Sequence, residues 1–210
     1  MTDSDEQKRW NERYARADYH FGTEPNAFLA AQRERLKPGQ TALAVADGEG
    51  RNGVWLARQG LDVTTVDWSP VGVEKARRLA DQCGVKMRIE CADITTWDWG
   101  APRFDVVVGI FIQFAPPPLR AEIFRGMKKV LKPGGLVFLE GYRPQQLQYK
   151  TGGPSAIENL YTAAMLREAF ADMTILHLVE YDAELAEGSR HSGMSALVDL
   201  VAQKPDRTAA

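Results

Sequence analysis

The sequence predicts an α/β protein built on one doubly wound sheet of seven mostly parallel strands, with helices on both faces. Short apolar runs alternate with helical segments over most of the 210 residues. Strands that alternate with helices are joined by right-handed crossovers, which produce a parallel sheet. A loop without a helix separates the last two apolar runs, which indicates that the last strand is antiparallel.

Turn and capping residues set the limits of the elements in the first half. The Leu36-Lys37-Pro38-Gly39 turn precedes the first strand, and Gly60 follows a helix as a C-terminal glycine often does. Ser69 and Pro70 are an N-cap and a proline at the first helical position. The predicted elements are helices at about 4–17 and 26–35, a strand at 41–46, a helix at 52–58, a strand at 62–66 and a helix from 69.

The second half continues the alternation and then departs from it. The Lys132-Pro133-Gly134-Gly135 run closes a helix before the fifth strand, and a loop that extends to Gly193 separates the last two strands. The predicted strands are 86–90, 104–110, 136–140, 174–181 and 196–203, and the predicted helices are 118–131 and 162–170.

Composition excludes several classes of protein. The net charge is −2, so no general attraction to nucleic acid or to an anionic membrane is built in. Cys83 and Cys91 are too few for a disulfide framework and suit a reducing compartment. Neither a signal-peptide pattern nor an apolar run of membrane-spanning length occurs in the sequence. We therefore expect a cytoplasmic protein for which nucleic acid is an improbable partner.

Small and acidic residues follow the first strand, at the edge of the sheet where open α/β proteins bind ligands. The Asp47-Gly48-Glu49-Gly50-Arg51-Asn52 loop leads directly into a helix. A ligand can approach the backbone closely at its glycines and meet the free N–H groups of the helix N-terminus. A Gly-x-Gly pair after a strand is often only a tight turn, so this loop alone leaves both interpretations open.

Asp67 ends the second strand, 19 residues after Gly48. A carboxylate at this spacing accepts hydrogen bonds from the two hydroxyls of a ribose. The alternative is a cap for the next helix, but Ser69 supplies that acceptor itself. Trp68 is then placed against an adenine, unless it is an aromatic residue of the core or rim.

Asp93 and Ile94 follow the third strand. Asp93 is placed to accept the amino group of an adenine while Ile94 packs against its ring. The alternative for Asp93 is an Asx turn or a helix cap. Together the three strand ends predict a binding site for an adenosine-containing cofactor.

These residues resemble the class I S-adenosylmethionine-dependent methyltransferases and, more narrowly, their tellurite-resistance and thiopurine methyltransferase-like branch. The resemblance covers nearly the whole chain. The antiparallel terminal strand belongs to this Rossmann-like fold, whereas nicotinamide-binding domains lack it, so a dinucleotide is the runner-up ligand. The matching motifs are Trp10-Asn11-Glu12-Arg13-Tyr14, Phe21-Gly22-Thr23-Glu24-Pro25, Gly48-Glu49-Gly50-Arg51-Asn52, Val66-Asp67-Trp68-Ser69, Asp93, Phe104-Asp105-Val106-Val107-Val108 and Leu131-Lys132-Pro133-Gly134-Gly135.

The resemblance implies one methyltransferase domain over 1–210, with a helical lid segment at 1–35 and a catalytic core at 41–203. It implies S-adenosylmethionine as the cofactor and no metal. The implied contacts are Gly48, Gly50 and Asn52 for the methionine part, Asp67 for the ribose, Asp93 for the adenine, and the backbone near Gly109 and Ile110 for the amino group.

The first glycine motif departs from the family. The family usually has an acidic residue within the first strand and a glycine two positions before Gly48, and this chain has Ala44 and Ala46 there. We expect Asp47 to replace part of the lost carboxylate.

Methyl transfer from a sulfonium requires alignment of the nucleophile and exclusion of water and, for oxygen or nitrogen acceptors, removal of a proton. The fourth strand ends Gly109-Ile110-Phe111-Ile112, without the signature of enzymes that methylate exocyclic amines. We expect a small-molecule acceptor with a thiol, chalcogen, oxygen or nitrogen nucleophile, and a protein that is a monomer or a homodimer. The alternatives are a non-catalytic cofactor-binding partner protein and an RNA methyltransferase that works with a basic partner.

The candidates for the acceptor side lie in two loops and the N-terminal segment. His191 and Arg190, in the loop before the last strand, are the predicted catalytic residues, although a histidine in a polar loop is usually only solvated. The loop at 142–154 is the second candidate. Tyr14, Tyr19 and Phe21 form either a lid or a flank packed on the sheet.

Overall fold

The seven strands lie at the apolar runs that the sequence shows. The computed structural model describes residues 3–188 and 191–206, with side chains from Asp5 onward. Within these residues the strands are β1 (Thr41–Val45), β2 (Asp62–Asp67), β3 (Arg88–Cys91), β4 (Phe104–Ile110), β5 (Leu131–Tyr142), β6 (Thr174–Glu187) and β7 (His191–Gln203).

Side-chain caps mark the start of three helices, at Asn26, Ser69 and Thr162. Ser69 accepts a hydrogen bond from the Gly72 N–H at 3.1 Å, which confirms it as the N-cap that the sequence predicts. The helices of the described part of the chain are α1 (Asp3–Tyr14), α2 (Ala27–Ala31), α3 (Arg51–Arg58), α4 (Pro70–Gln82), α5 (Pro117–Val130), α6 (Gln146–Tyr149) and α7 (Ala163–Ala169), with 3₁₀ turns at Arg33–Arg35 and Ile157–Asn159.

The strands form one sheet in the order β3-β2-β1-β4-β5-β7-β6. β1 pairs with β2, β2 with β3, and β4 with β5, all in parallel, whereas β7 runs antiparallel to β5. The predicted fold class, a mostly parallel seven-stranded sheet with an antiparallel last strand, is therefore confirmed.

Several element limits differ from the sequence prediction, and three differences change the interpretation. The Lys132–Gly135 run, predicted as a turn, lies within β5, where the pairing with β4 shifts register between Phe104 and Val106. The predicted helix over 26–35 is split into α2 and a 3₁₀ turn. The loop predicted to reach Gly193 is short, because β6 continues to Glu187 and β7 already begins at His191.

The chain forms two compact units. Of the described residues, the first comprises 3–97 and 187–188, and the second comprises 98–186 and 191–206. In the first unit Ala42, Leu43 and Val63 of β1 and β2 are fully buried. In the second unit the core includes Phe138 and Val201, which pair across β5 and β7. The predicted organisation as a single domain stays a prediction.

None of the helices within residues 3–188 and 191–206 combines the length and the apolar character that crossing a bilayer demands. The cytoplasmic location stays a prediction.

Candidate functional site

The glycine loop after β1 adopts left-handed backbone conformations. Ala46, Gly48 and Gly50 have φ values of 49°, 59° and 88°. The left-handed region is open to glycine but costs an L-residue with a Cβ about 1 kcal/mol or more. Ala46 is the position where the resembling family has glycine, so the departure seen in the sequence falls on strained backbone.

Two glycines of the loop permit close packing against helices of the first unit. A Cβ on Gly48 would lie 2.6 Å from the Tyr14 hydroxyl of α1, and one on Gly50 would lie 2.7 Å from the Ala76 Cβ of α4. Distances under 3.0 Å are not compatible with a real side chain. Both positions therefore require glycine for packing as well as for backbone conformation.

Asp67 lies at the carboxyl end of β2 and is partly exposed. Its Oδ2 accepts a hydrogen bond from the Gly48 N–H and its Oδ1 one from the Ser69 N–H, both at 2.8 Å. Burial raises the pKa of its carboxyl to about 6 despite these two bonds. Each carboxylate oxygen has capacity for a second donor, so the capping contact leaves acceptor capacity for ribose hydroxyls.

Asp47 is turned toward the helix that follows it. Its Oδ2 accepts hydrogen bonds from the Gly53 N–H at 3.0 Å and from the Thr65 hydroxyl at 3.4 Å. Burial raises the pKa of the Asp47 carboxyl to about 7, and the neighbouring charge of Asp67 adds to the shift. Asp47 therefore caps the first turn of α3, a role that the sequence interpretation did not include.

The segment after β3 forms the turn that was the alternative interpretation for Asp93. The Asp93 Oδ1 accepts a hydrogen bond from the Thr95 N–H at 2.8 Å, as in an Asx turn. Ile94 is buried, whereas Asp93 and Trp68 are half-buried. The adenine contacts of these three residues stay predictions.

The N-terminal helix α1 is docked on the loop region of the first unit. The Ser69 hydroxyl donates to Asn11 Oδ1 at 2.6 Å, and the Gln7 amide donates to the Trp68 carbonyl at 3.0 Å. The Tyr14 ring is buried and lies against Gly48 and Gly72. The predicted lid segment thus contacts the ends of β1 and β2, and its movement on cofactor binding stays a prediction.

A buried lysine anchors the chain that leaves α1. Lys75 of α4 forms an ion pair with Glu49, and their side chains are 9% and 3% exposed. Its ammonium also donates to the carbonyls of Asp18 at 2.6 Å, Arg16 at 3.1 Å and Tyr14 at 3.3 Å. Glu49 Oε2 in turn accepts the His20 N–H at 2.6 Å. Glu49, in the middle of the glycine loop, therefore fixes the N-terminal segment.

A second buried network surrounds the start of α3. The Arg51 guanidinium pairs with Glu187 at 2.8 Å, and both side chains are less than 10% exposed. Glu187 also accepts the Asn26 side-chain amide at 3.1 Å and the Ala27 N–H at 2.8 Å. Asn52 Oδ1 accepts the Asn26 N–H at 2.9 Å. Asn52 is a predicted cofactor contact, and its amide oxygen is bonded to the N-terminal segment.

In the second unit β4 ends at strained backbone. Gly109 is closely packed, since a Cβ there would lie 2.9 Å from Ile112 Cδ1, and Ile110 is half-buried. Phe111 follows with a φ of 55°, an outlier for a bulky side chain. Its N–H donates to the Glu140 carbonyl at 2.9 Å. Strain of this kind is often found at functional sites.

His191 does not lie in a solvated loop, which corrects the expectation for this residue. It is the first residue of β7 and is 8% exposed. Its ring meets the Phe111 ring edge-on at 4.2 Å and the Tyr142 ring at 5.8 Å, and these two rings are stacked at 4.6 Å. Burial follows because β7 begins earlier than the glycine-rich sequence suggests. Arg190 lies outside the described residues.

A pair of buried acids lies on neighbouring strands of the second unit. Glu140 of β5 is the register partner of Asp199 of β7, and the Tyr181 hydroxyl donates to Glu140 Oε1 at 3.2 Å. Burial raises the pKa of the Asp199 carboxyl to about 7. A fraction of the Asp199 carboxyls therefore keeps its proton at neutral pH.

The 142–154 loop is held by buried amides. Gln146 accepts the Ala196 N–H at 2.9 Å and donates to the Thr151 hydroxyl at 2.9 Å. The Gln113 side chain donates to the Tyr142 carbonyl at 2.9 Å. This loop is therefore pinned to β7 and β5 rather than open.

Sequence interpretation missed the Lys75–Glu49 and Arg51–Glu187 pairs and the Glu140–Asp199 pair. For the Glu140–Asp199 pair, an acidic residue in the middle of a predicted strand was a signal. For the two ion pairs, the spacing in the sequence does not reveal which residues meet. In residues 3–188 and 191–206, no three histidine, cysteine or acidic side chains are grouped as a metal site would need.

Comparison with known proteins identifies the central part of the chain. Residues 42–135 match the family described as Methyltransferase domain. The ubiquinone biosynthesis O-methyltransferase of Coxiella burnetii is 31% identical over 101 residues, which are 48% of this chain and 42% of that protein. Phosphoethanolamine N-methyltransferase 1 of Zea mays is 31% identical over 116 residues, 53% of this chain and 22% of that protein. The chain thus spans less than half the length of the curated relatives it matches.

Solved structures share the fold along most of the chain. A structure described as Conversion of a Disulfide Bond into a Thioacetal Group during Echinomycin Biosynthesis has a TM-score of 0.77 at 19% identity and covers 100% of this chain and 93% of its own. TehB from Haemophilus influenzae has a TM-score of 0.70 at 16% identity, over 94% of this chain and 66% of its own. At these identities the likeness shows the fold alone. The match over residues 42–135 supports the predicted methyltransferase class, whose cofactor is S-adenosylmethionine.

Proposed function

Because residues 42–135 match a methyltransferase domain, we propose that the chain is an S-adenosylmethionine-dependent methyltransferase that acts on a small molecule. The observation that carries the proposal is the Asp67 carboxylate, which is partly exposed at the end of β2 and bonded to the Gly48 and Ser69 N–H groups. Those two bonds fix both oxygens in place. The ribose hydroxyls of the cofactor donate to the acceptor capacity that remains on these oxygens.

The other predicted contacts complete the cofactor site. Gly48, Gly50 and Asn52 hold the methionine part, and Asp47 lies beside its ammonium group. The adenine lies near Trp68, Asp93 and Ile94, and the Gly109 and Ile110 backbone accepts from the amino group.

His191 takes part on the acceptor side. An imidazole titrates near neutrality and can accept a proton from an oxygen or nitrogen acceptor. The Phe111 and Tyr142 rings fix its orientation by edge-on packing. We assign Arg190, next to it in the chain, the role of holding an anionic acceptor.

The narrower assignment is the tellurite-resistance and thiopurine methyltransferase-like branch, with a thiol or chalcogen anion as acceptor. It is supported by the sequence motifs and by the shared fold of TehB. An anionic acceptor needs no general base, so replacing His191 by alanine should then change turnover little. An oxygen or nitrogen acceptor predicts a loss of about 10²- to 10⁴-fold instead.

Calorimetry tests the cofactor. S-adenosylmethionine and S-adenosylhomocysteine should bind the wild-type protein, and NAD should not. NAD is the relevant control because Gly48, Gly50 and Gly53 also have the spacing of dinucleotide-binding loops. Asp67→Ala removes two charged hydrogen bonds, each worth roughly 1.5–3 kcal/mol. Affinity should therefore fall about a hundredfold or more.

Two further variants isolate the contact. Asp67→Asn keeps the shape of the side chain but removes its charge, and Asp62→Ala removes an exposed carboxylate at the start of the same strand. The first should weaken binding and the second should not. Binding of NAD without binding of S-adenosylmethionine would overturn the proposal, and binding without turnover on a thiol and metabolite panel would favour a non-catalytic partner protein.

A further inference from the structure

Arg51 is a buried cation at the ligand loop. It is the first residue of α3 and follows Gly50, whose cap position supplies no side-chain hydrogen bond. Its position directly after Gly50 places its backbone at the end of the loop after β1. The N-terminus of α3 adds further positive potential at the same point.

One half of the guanidinium is satisfied by the protein. Nη2 donates to Glu187 Oε2 at 2.8 Å. Glu187 is itself held by the Asn26 amide and the Ala27 N–H, so the ion pair has a fixed geometry. Asn26 is fully buried, which leaves this frame little freedom to move.

The other half has an open donor. Nη1 of Arg51 is buried and has no hydrogen-bond partner among the described residues, and the whole side chain is 7% exposed. A buried guanidinium N–H without an acceptor loses the hydration that it has in the unfolded chain. Such groups call for an explanation, and an acceptor oxygen from a ligand is one.

We infer that Arg51 binds the α-carboxylate of the amino-acid part of S-adenosylmethionine through Nη1. This inference rests on the proposed function. A zwitterionic amino-acid group needs a cation for its carboxylate, and Arg51 supplies a buried cation with an unused donor. Glu187 is the positioning residue, because it fixes the guanidinium plane from the opposite side.

The test compares two ligands that differ only in this carboxylate. S-adenosylmethionine and decarboxylated S-adenosylmethionine are titrated into the wild-type protein by calorimetry. One charge-assisted contact predicts that the decarboxylated ligand binds roughly 10- to 100-fold more weakly. The comparison needs no mutation, so it does not depend on the stability of a variant.

Three variants assign the effect to the arginine. In Arg51→Gln the two ligands should bind within about threefold of each other, since the carboxylate has lost its partner. Arg58→Gln removes an exposed arginine from the last turn of the same helix and should keep the full difference. Arg51→Gln leaves Glu187 buried without its cation, so its melting temperature is measured as well. The double variant with Glu187→Gln removes both charges and must also lose the discrimination.

The outcomes separate the inference from the proposed function. Failure of S-adenosylmethionine to bind the wild-type protein overturns the function itself. Equal binding of the two ligands to the wild-type protein overturns only the carboxylate contact. If the difference between the two ligands survives in Arg51→Gln and in the double variant with Glu187→Gln, another group binds the carboxylate, and the inference is overturned.

Discussion

Lys75→Met should destabilise the protein strongly, because it breaks a buried ion pair that anchors the N-terminal segment. The Lys75 and Glu49 side chains are 9% and 3% exposed, so removal of the ammonium leaves a carboxylate buried without its cation. Breaking a buried pair in this way typically costs about 3–5 kcal/mol. The same ammonium binds three main-chain carbonyls between Tyr14 and Asp18. We therefore expect a loss of about 3–5 kcal/mol in the free energy of unfolding.

Urea unfolding followed by circular dichroism measures this loss, and a double-mutant cycle with Glu49→Gln divides it. The double variant should be more stable than Lys75→Met, since no uncompensated charge is left. Limited trypsin digestion reports the local effect. Cleavage after Arg16 should become faster in Lys75→Met even at low urea, because the carbonyls that held this segment have lost their donor.

Lys132→Met is the matched control. Lys132 pairs with Asp105 at 2.9 Å, but the two side chains are 41% and 27% exposed. An exposed pair contributes about 0–1 kcal/mol. A loss below 1 kcal/mol in Lys75→Met, equal to that of the control, would refute the conclusion that the lysine anchors the N-terminal segment.

Three shorter predictions concern acids and a glycine. Asp199→Asn should add roughly 2–4 kcal/mol of stability at pH 8 and almost none at pH 4. Burial raises the folded-state pKa of Asp199 to about 7, so the penalty for burying this carboxyl grows as pH rises from the unfolded value of about 4 to about 7. Urea titrations at both pH values check it. Cofactor affinity should fall as pH drops through about 6, where the Asp67 carboxyl becomes protonated, and calorimetry from pH 5.5 to 8.5 should show a plateau on the alkaline side. Gly48→Ala should weaken cofactor binding and loosen α1, since its Cβ would meet the Tyr14 hydroxyl; near-wild-type affinity and protease resistance would contradict this.

The fold was predictable because its signals are local. Apolar runs, turn residues and caps such as Ser69 act within a few residues of chain, so the strands and most helices follow from the sequence. The limits of β6 and β7 did not follow, because their ends carry glycines and polar residues whose strand pairing depends on distant partners. For the same reason the sequence predicted His191 in a loop, whereas it begins β7.

The candidate site was predictable only in part. Asp67 could be found because its spacing from Gly48 is fixed by one strand, one helix and one turn. Glu49 and Lys75 lie 26 positions apart and Arg51 and Glu187 lie 136 apart, and each pair meets only after the first unit has folded. At such separations the residue types do not indicate which acid pairs with which base, so both ion pairs become visible only in the folded structure.

The Lys75 anchor has a consequence for how the N-terminal segment tolerates sequence change. The ammonium binds the main-chain oxygens of Tyr14, Arg16 and Asp18 rather than their side chains. Every residue has the same main-chain oxygen, so these bonds depend on the length and path of the chain. They do not depend on which side chains occupy positions 16 and 18. Evolution can therefore vary these positions freely, whereas an insertion or deletion of one residue there displaces the carbonyls from their donor.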